Sequence, residues 1–463
     1  MDPEQQKKRQ TLRILFSEAM MVLSVIIIMT VLIMITSGYW INQNFEVERR
    51  GMLEVFSAPT GADIIIDGES DWLAKTNNSR IVSKGEHLVT IKKEGYGDWS
   101  KKVTIEEGLM YRIPYVRLFP IEAEVEKVSE IDAKLSSVSP NRNLMLLIND
   151  STTWKLLHLD NDKANATNVD VSGLFGDAAA TIIGASWSAD NNRVLLEATV
   201  NDGTEWFVLD LKDASKNISL TKAFGMNFDT VEFFDKPGDN LLVIDEGELR
   251  KININEQSIS KILASKVTSF NIYENSVVYI SGEVEKKVSV LKKIDDAPID
   301  LYDVSGGKTF AALTRSYRDN YLTVISDSTL TLYKGKLPRD KNDKNSFEKI
   351  FSVGIDFVPE DIHVGGDGDF VAMRSGKNIA ALDMESENVT KFEVEDEQVD
   401  WLDGYMLYVV DEDGDMVVYD FDGLNRRELS KNASKRLSAT VTEDRWLYYF
   451  SDGWLVRENL TIK

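Results

Sequence analysis

From Leu135 to the end of the chain one grammar recurs: a short strand, a polar turn carrying Asn or Asp, an apolar strand, a polar connection, and a strand that often ends in Leu-Asp. The first copy reads VSPNRNLMLLIN then WKLLHLD, and the second, from Gly184, contains ASWSADNNRVLLEA then EWFVLDLK. Further copies begin near Val231, Phe270, Leu301, Ile362, Val399 and Leu437, giving eight units over about 330 residues. A period close to 40 residues with three or four short strands per unit is the pattern of β-propeller blades. Solenoid repeats are shorter and more regular. Unequal spacing, with an excess around Leu337 to Asn345, suits blades whose loops differ in length, and Pro338 to Lys349 reads as an exposed loop. The ring has seven or eight blades, depending on whether Ala123 to Ile131 adds a strand to the last unit.

The other end of the chain is apolar. No charged residue lies between Glu18 and Glu46, and Ala19 to Thr36 is a nearly unbroken run of Ile, Leu, Val and Met. About 20 such residues cross the ~30 Å hydrocarbon core as a helix, so residues 19–40 are expected to be a transmembrane helix, with Tyr39 and Trp40 as membrane-interface anchors. A cleaved signal peptide is the rival; its apolar region is ~7–15 residues, shorter than this run, although Thr36-Ser37-Gly38 offers small residues for a peptidase. Lys7, Lys8, Arg9 and Arg13 before the run outnumber Arg49 and Arg50 after it, which puts residues 1–18 inside as a cytoplasmic tail and everything beyond the span outside the cytoplasmic membrane.

Charge agrees with that division. The 463 residues carry 53 basic and 76 acidic side chains, a net charge of −23. Setting aside Lys7, Lys8, Arg9 and Arg13, and Asp2, Glu4 and Glu18, leaves 49 against 73, so the exported part alone carries −24. Such a surface repels nucleic acid and anionic headgroups. With no Cys, disulfides, thiolate metal sites and Cys nucleophiles are excluded.

After a linker at 41–50, residues 51–120 are rich in β-branched residues and punctuated by Gly-containing turns. Four to six antiparallel strands are expected, among them Met52 to Ser57, Ala62 to Ile66, His87 to Lys92 and Ser100 to Ile105. Pro59-Thr60-Gly61-Ala62, then Ile64 to Ile66 leading into Asp67-Gly68, then Gly85-Glu86-His87, then Glu94-Gly95-Tyr96 with Trp99, resemble the PEGA domain, a small β module of bacterial and archaeal envelope proteins. Lys75-Thr76-Asn77-Asn78 departs from the family's Gly and Thr-Pro pattern. The motif residues have structural work: Pro59 fixes φ, Gly61, Gly68 and Gly95 take conformations closed to side chains, Ala62 and Asp67 belong to the strand and its turn, and Tyr96 and Trp99 cover a small core. His87, with no second His nearby, is not read as a metal ligand.

The Ser139-Pro140-Asn141 and Trp187-Ser188-Ala189-Asp190 turns, each leading into an apolar strand, resemble the TolB-like and WD40-like blades of bacterial envelope propellers, without the Gly-His and Trp-Asp pairs of WD40 blades. Residues 121–463 are therefore expected to form the propeller.

Chemistry-bearing motifs are sparse. There is no G-x-S-x-G elbow, H-E-x-x-H helix or phosphate-binding P-loop. Asp411-Glu412-Asp413-Gly414-Asp415 lacks the Gly and Glu spacing of an EF-hand and reads as a solvated hairpin turn, as does Gly365-Gly366-Asp367-Gly368-Asp369. His158 and His363 read as isolated core or edge histidines. Trp154, Trp187, Trp206, Trp401, Trp446 and Trp454 suit blade packing, with stacking on a sugar at the channel mouth as the other option. We assign no catalytic, cofactor-binding or metal-ligating residue. The expected protein is an all-β ectodomain, a PEGA-like β-sandwich and a seven- or eight-bladed propeller, behind one N-terminal transmembrane helix. Its expected role is a non-enzymatic envelope platform for a protein or a cell-wall glycan. A glycan hydrolase or lyase using carboxylates on the propeller face, and an assembly factor docking partners by β-augmentation at a blade edge, are the alternatives.

Overall fold

The structure is a computed structural model that describes residues 3–36, 39–41, 47–159, 165–176, 180–294, 296–340, 343 and 346–462. It divides into two compact units, Met1–Ile121 and Glu122–Lys463.

The apolar run is a helix, Pro3–Thr36. Its segment Arg13–Met34 has a mean hydropathy of 2.4 and no buried residues. The Ser24 and Thr30 hydroxyls donate to the Met21 and Ile26 carbonyls, both at 2.8 Å, so neither is left unpaired in an apolar setting. Tyr39 and Trp40 are not in this helix, which corrects the expected span of 19–40. Tyr39–Ile41 is a strand paired antiparallel with Val47–Arg49, Tyr39 opposite Arg49 and Trp40 opposite Glu48. Aromatic and β-branched residues favour that extended pairing once the Leu- and Met-rich stretch has ended.

Residues 51–117 form two facing sheets. One is four-stranded, in the order Glu69–Lys75, Asp63–Ile66, Gly85–Lys92, Trp99–Ile105; the other is three-stranded, Asn78–Val82, Gly51–Ala58, Met110–Arg117. Seven strands exceed the expected four to six, and the Gly51–Ala58 and Met110–Arg117 pair is parallel. The last strand escapes sequence reading because Pro114 interrupts it; Pro is tolerated there because the strand is at a sheet edge. Strict alternation along Gly51–Ala58 sends Leu53, Val55 and Ser57 inward. There Leu53 and Val55 meet Ile64, Ile91, Trp99, Ile105 and Ile113 in one core.

Among the described residues of the second unit there are eight four-stranded antiparallel sheets. We number these blades 1 to 8 by their first strands: Leu135–Val138, Ala180–Trp187, Thr230–Phe233, Val267–Tyr273, Thr309–Ser316, Asp361–Gly365, Val399–Trp401 and Thr440–Thr442. The expected fifth unit starts too early, since Ile299–Val304 is the outer strand of blade 4, paired with Lys286–Leu291. Only four residues separate it from blade 5, too few to mark a boundary by composition.

Apolar clusters bridge successive blades. Leu146 and Trp154 of blade 1 meet Val194 and Phe207 of blade 2; Leu195 and Val208 of blade 2 meet Leu241 and Ile252 of blade 3. The series continues through blades 3 and 4, 4 and 5, 5 and 6, and 6 and 7. It closes where Tyr448 and Phe450 of blade 8 pack on Met145 and Leu157 of blade 1. Each large side chain buried in these seams contributes roughly 1.5–3 kcal/mol. Val125–Glu130 is the outer strand of blade 8, paired with Trp454–Asn459, so the N-terminal end of the unit completes its last blade. This settles the ring at eight.

Candidate functional site

The first strands converge on a central axis. Ser137 Oγ donates to the Ala185 carbonyl at 3.0 Å, and Ser269 Oγ to the Thr309 carbonyl at 3.3 Å, each from one blade's first strand to the next. Because strand direction alternates, the hairpins joining first to second strands gather on one face around the channel mouth.

Local chemistry builds those hairpins. In blade 1 the Ser139 hydroxyl donates to Asn141 Oδ1 at 2.7 Å and accepts from the Leu144 N–H at 3.0 Å. Blade 2 repeats this with Ser188, Asp190 and Arg193 at 2.7 and 3.0 Å. The turn needs one left-handed residue, Arg142 at φ 59° and Asn191 at φ 62°. Neighbouring turns are tied together: Asn191 Oδ1 accepts from the Asn141 N–H at 3.2 Å, and the Lys236 carbonyl from the Asp190 N–H at 3.0 Å. Arg193 fastens blade 2 to blade 3, donating to Asp210 at 3.2 Å, to the Gly238 carbonyl at 2.9 Å and to Asp239 at 2.6 Å.

On the rim the Tyr405 hydroxyl of blade 7 donates to Asp369 of the neighbouring blade 6 at 2.7 Å. Gly366, at φ +58°, lets the blade 6 turn approach that ring, since a Cβ there would lie 2.4 Å from a Tyr405 ring carbon. Burial raises the Tyr273 hydroxyl of blade 4; the Glu274, Asp367 and Asp369 charges add to this and Arg315 of blade 5 opposes it, which places these groups within one electrostatic neighbourhood. Tyr317 of blade 5, 60% exposed at φ 53°, donates to Glu385 of blade 6 at 3.2 Å. The rim thus presents phenol, guanidinium and carboxylate groups on hairpins that hold one another in place.

Deeper on the first strands sit three perturbed groups. Glu232 is flanked by Val231 and Phe233, which pack into the seam with blade 2, so its side chain turns the other way and is exposed. Protein walls still strip much of its hydration and push its carboxyl up to about 7. Desolvation likewise raises Asp400, against the Arg374 charge and a hydrogen bond from Tyr408. His363 stacks on Trp401, centroids 4.1 Å apart and planes 16° apart, and burial lowers its imidazole to about 4, so it is neutral near pH 7.

Trp154, Trp187, Trp206 and Trp446 lie in the seams. Trp154, Trp206 and Trp446 are buried and Trp187 donates to Ser137 Oγ at 3.0 Å, while Lys127 lies 4.9 Å over the Trp454 ring. His158 ends a strand of blade 1, 3.2 Å from Thr167 Oγ1. Asp411 Oδ1 accepts from the Asp413 and Asp415 N–H groups at 2.9 Å, which makes that acidic stretch a self-capped turn. Among the described residues no group of three or more His, Asp or Glu side chains is placed to hold a metal ion.

In the smaller unit, Pro59 follows a cis peptide bond, and Gly61, Gly68 and Gly95 have φ of 73°, 85° and 81°. Ala62, Tyr96 and Trp99 are in the core. Asp67 accepts from the Leu88 N–H at 2.9 Å and is 2.7 Å from His87 Nδ1. The His87 bond lowers the Asp67 carboxyl first, with the Leu88 N–H adding. Thr76, in the stretch that departs from the PEGA pattern, is 2% exposed; its Oγ1 lies 2.6 Å from Ser57 Oγ and accepts from the Ala62 N–H at 3.0 Å. Asn77 takes φ 67°, a conformation Asn accepts more readily than most residues.

Residues 50–117 match the PEGA domain. The PEGA domain here therefore carries its turn-and-core residues in a two-sheet unit of its own. No curated protein matches the chain. Among solved structures, the C-terminal WD40 domain of Sif2 is 13% identical over 73% of this chain and 99% of that one, with a TM-score of 0.48. The Cps50 (Swd1) β-propeller domain of Myceliophteria thermophila is 11% identical over 73% and 100%, with a TM-score of 0.43. Dihydro-heme d1 dehydrogenase NirN, in complex with DHE, is 16% identical over 64% and 65%, with a TM-score of 0.41. The propeller assignment rests on this chain's own sheets and seams.

Sequence reasoning singles out none of Tyr273, Arg315, Tyr317, Asp369 or Tyr405 as rim residues. Their shared signal is position: each ends a first strand or lies in the hairpin that follows.

Proposed function

We propose that this chain is a single-pass membrane protein that presents its PEGA domain and propeller outside the cytoplasmic membrane as a non-enzymatic platform for a protein or a cell-wall glycan. The observation that carries the binding role is the cross-braced rim, in which Tyr405–Asp369 and Tyr317–Glu385 bridge neighbouring blades beside an exposed phenol. A surface already held in its bound shape loses little freedom on binding. Topology is supported by the fully exposed apolar helix and by the excess of Lys and Arg before it.

A photo-crosslinking residue in place of Tyr317, on the rim, or of Val284, on the opposite face, tests the platform in cells. Discrete adducts at 317 that Arg315→Glu removes, with none at 284, are the expected result; equal labelling at both positions contradicts it. The raised carboxyls of Glu232 and Asp400 favour the hydrolase as a second reading. Release of soluble sugars from peptidoglycan or envelope polysaccharide by residues 47–463 would establish it in place of the platform.

A further inference from the structure

The ring closes on a buried acid. Glu458 lies on the third strand of blade 8 and is 5% exposed. Its cross-strand partners are Leu447 on one side and Val125 of the closing strand on the other, with buried Val456 two residues away on the same face. Among the described residues its carboxyl accepts no side-chain hydrogen bond. The charged and titratable groups around it are few. Arg427, on the outer strand of blade 7, opposes its charge, but burial weakens Arg427 itself. Tyr449, on the second strand of blade 8, is raised by burial, against a hydrogen bond with Ser430 and with the Glu458 charge adding last. On the closing strand, Lys127 is engaged over Trp454 and Glu126 pairs with Arg457 at 2.7 Å on the opposite face.

A carboxylate in such a place has lost most of its water without gaining side-chain donors, and neutralising it is the cheaper state. We propose that blade 8 is a pH-set latch: with Glu458 protonated the closing strand seats and the ring is shut, and release of that proton to solvent loosens the seam between blade 8, its closing strand and blade 7. The closing strand is also the first strand of the propeller unit, so the latch acts where the chain enters the ring.

The sign follows from linkage. Burial holds Glu458 up to about 7 in the closed seam, above the 4.5 of an open one, so the closed form binds more protons between those values. Seam stability is highest below that window, falls as pH rises through it, and is level above it. Hydrogen exchange of the full chain in detergent micelles, converted to protection factors at pH 5 and pH 7.5, reads this directly. Protection in Val125–Glu130 and Trp454–Asn459 is expected to fall roughly tenfold or more at the higher pH, with the outer strand of blade 4, Ile299–Val304, unchanged. Glu458→Gln is expected to abolish the fall, and Glu458→Met serves if that variant does not fold. No fall in the natural chain, an equal fall at Ile299–Val304, or an undiminished fall in the substituted chain overturns the proposal.

Discussion

The Tyr405 hydroxyl spans the gap between blades 7 and 6 and donates to Asp369 at 2.7 Å, while its ring fills the space Gly366 leaves open. The bond joins residues 36 positions apart in hairpins of different blades. Tyr405→Phe keeps the ring and removes the donor, leaving a half-buried carboxylate short of a partner. A loss of about 1 kcal/mol is expected. Gly366→Ala is expected to cost more, through both the contact and the left-handed backbone. Denaturant unfolding measures both.

His363 makes the propeller acid-sensitive. Its folded value of about 4 lies below the ordinary 6.5, so the folded state favours neutral imidazole. The stability this represents is full above pH 6.5 and is lost as pH falls from there towards 4, to a ceiling of about 3 kcal/mol. Glu458 acts in the opposite direction over much of this window. The two are separated by comparing Glu458→Gln with the His363→Phe, Glu458→Gln double variant, in which Phe still stacks on Trp401. A midpoint that drops between pH 7 and pH 4.5 only when His363 is present is the expected result.

The closing strand sets a sharp boundary for truncation. A chain beginning at residue 122 retains all four strands of blade 8; one beginning at 132 loses Val125–Glu130 and bares the Trp454–Asn459 edge. The shorter chain is expected to unfold at lower temperature and to self-associate through that edge, as size-exclusion chromatography would show.

In the PEGA domain the tie between the Pro59 loop and the second sheet is Thr76. Thr76→Val conserves volume but strands the Ala62 N–H in a buried place and removes the Thr76 contact with Ser57 Oγ, which keeps its own bond to the Pro59 carbonyl at 2.7 Å. A loss of about 1–3 kcal/mol is expected from the isolated domain's unfolding curve, with Thr76→Ser largely retaining stability.

Much of this architecture is legible in sequence because it is local. The Ser139 and Ser188 turns encode their own hydrogen bonds within five residues, and Asp210 and Asp383 close the turns that follow their strands. What is not legible depends on distance along the chain. Val125 finds Glu458 across more than 300 residues, and the rim joins hairpins from separate blades. His363 looks isolated in sequence because its partner Trp401 belongs to the next blade. Asp67 reads as a turn residue, and nothing near it announces the bond to His87, 20 residues on.

The absence of Cys makes the central claim directly measurable. Val284, 87% exposed on the propeller, is replaced by Cys in one chain and Glu4, in the N-terminal tail, in another, and intact cells are treated with a membrane-impermeant maleimide. Labelling of the Val284→Cys chain in intact cells, in the membrane fraction and at full length, with the Glu4→Cys chain labelled only after permeabilisation, is the predicted result. Labelling of Glu4→Cys in intact cells while Val284→Cys is protected would contradict the account.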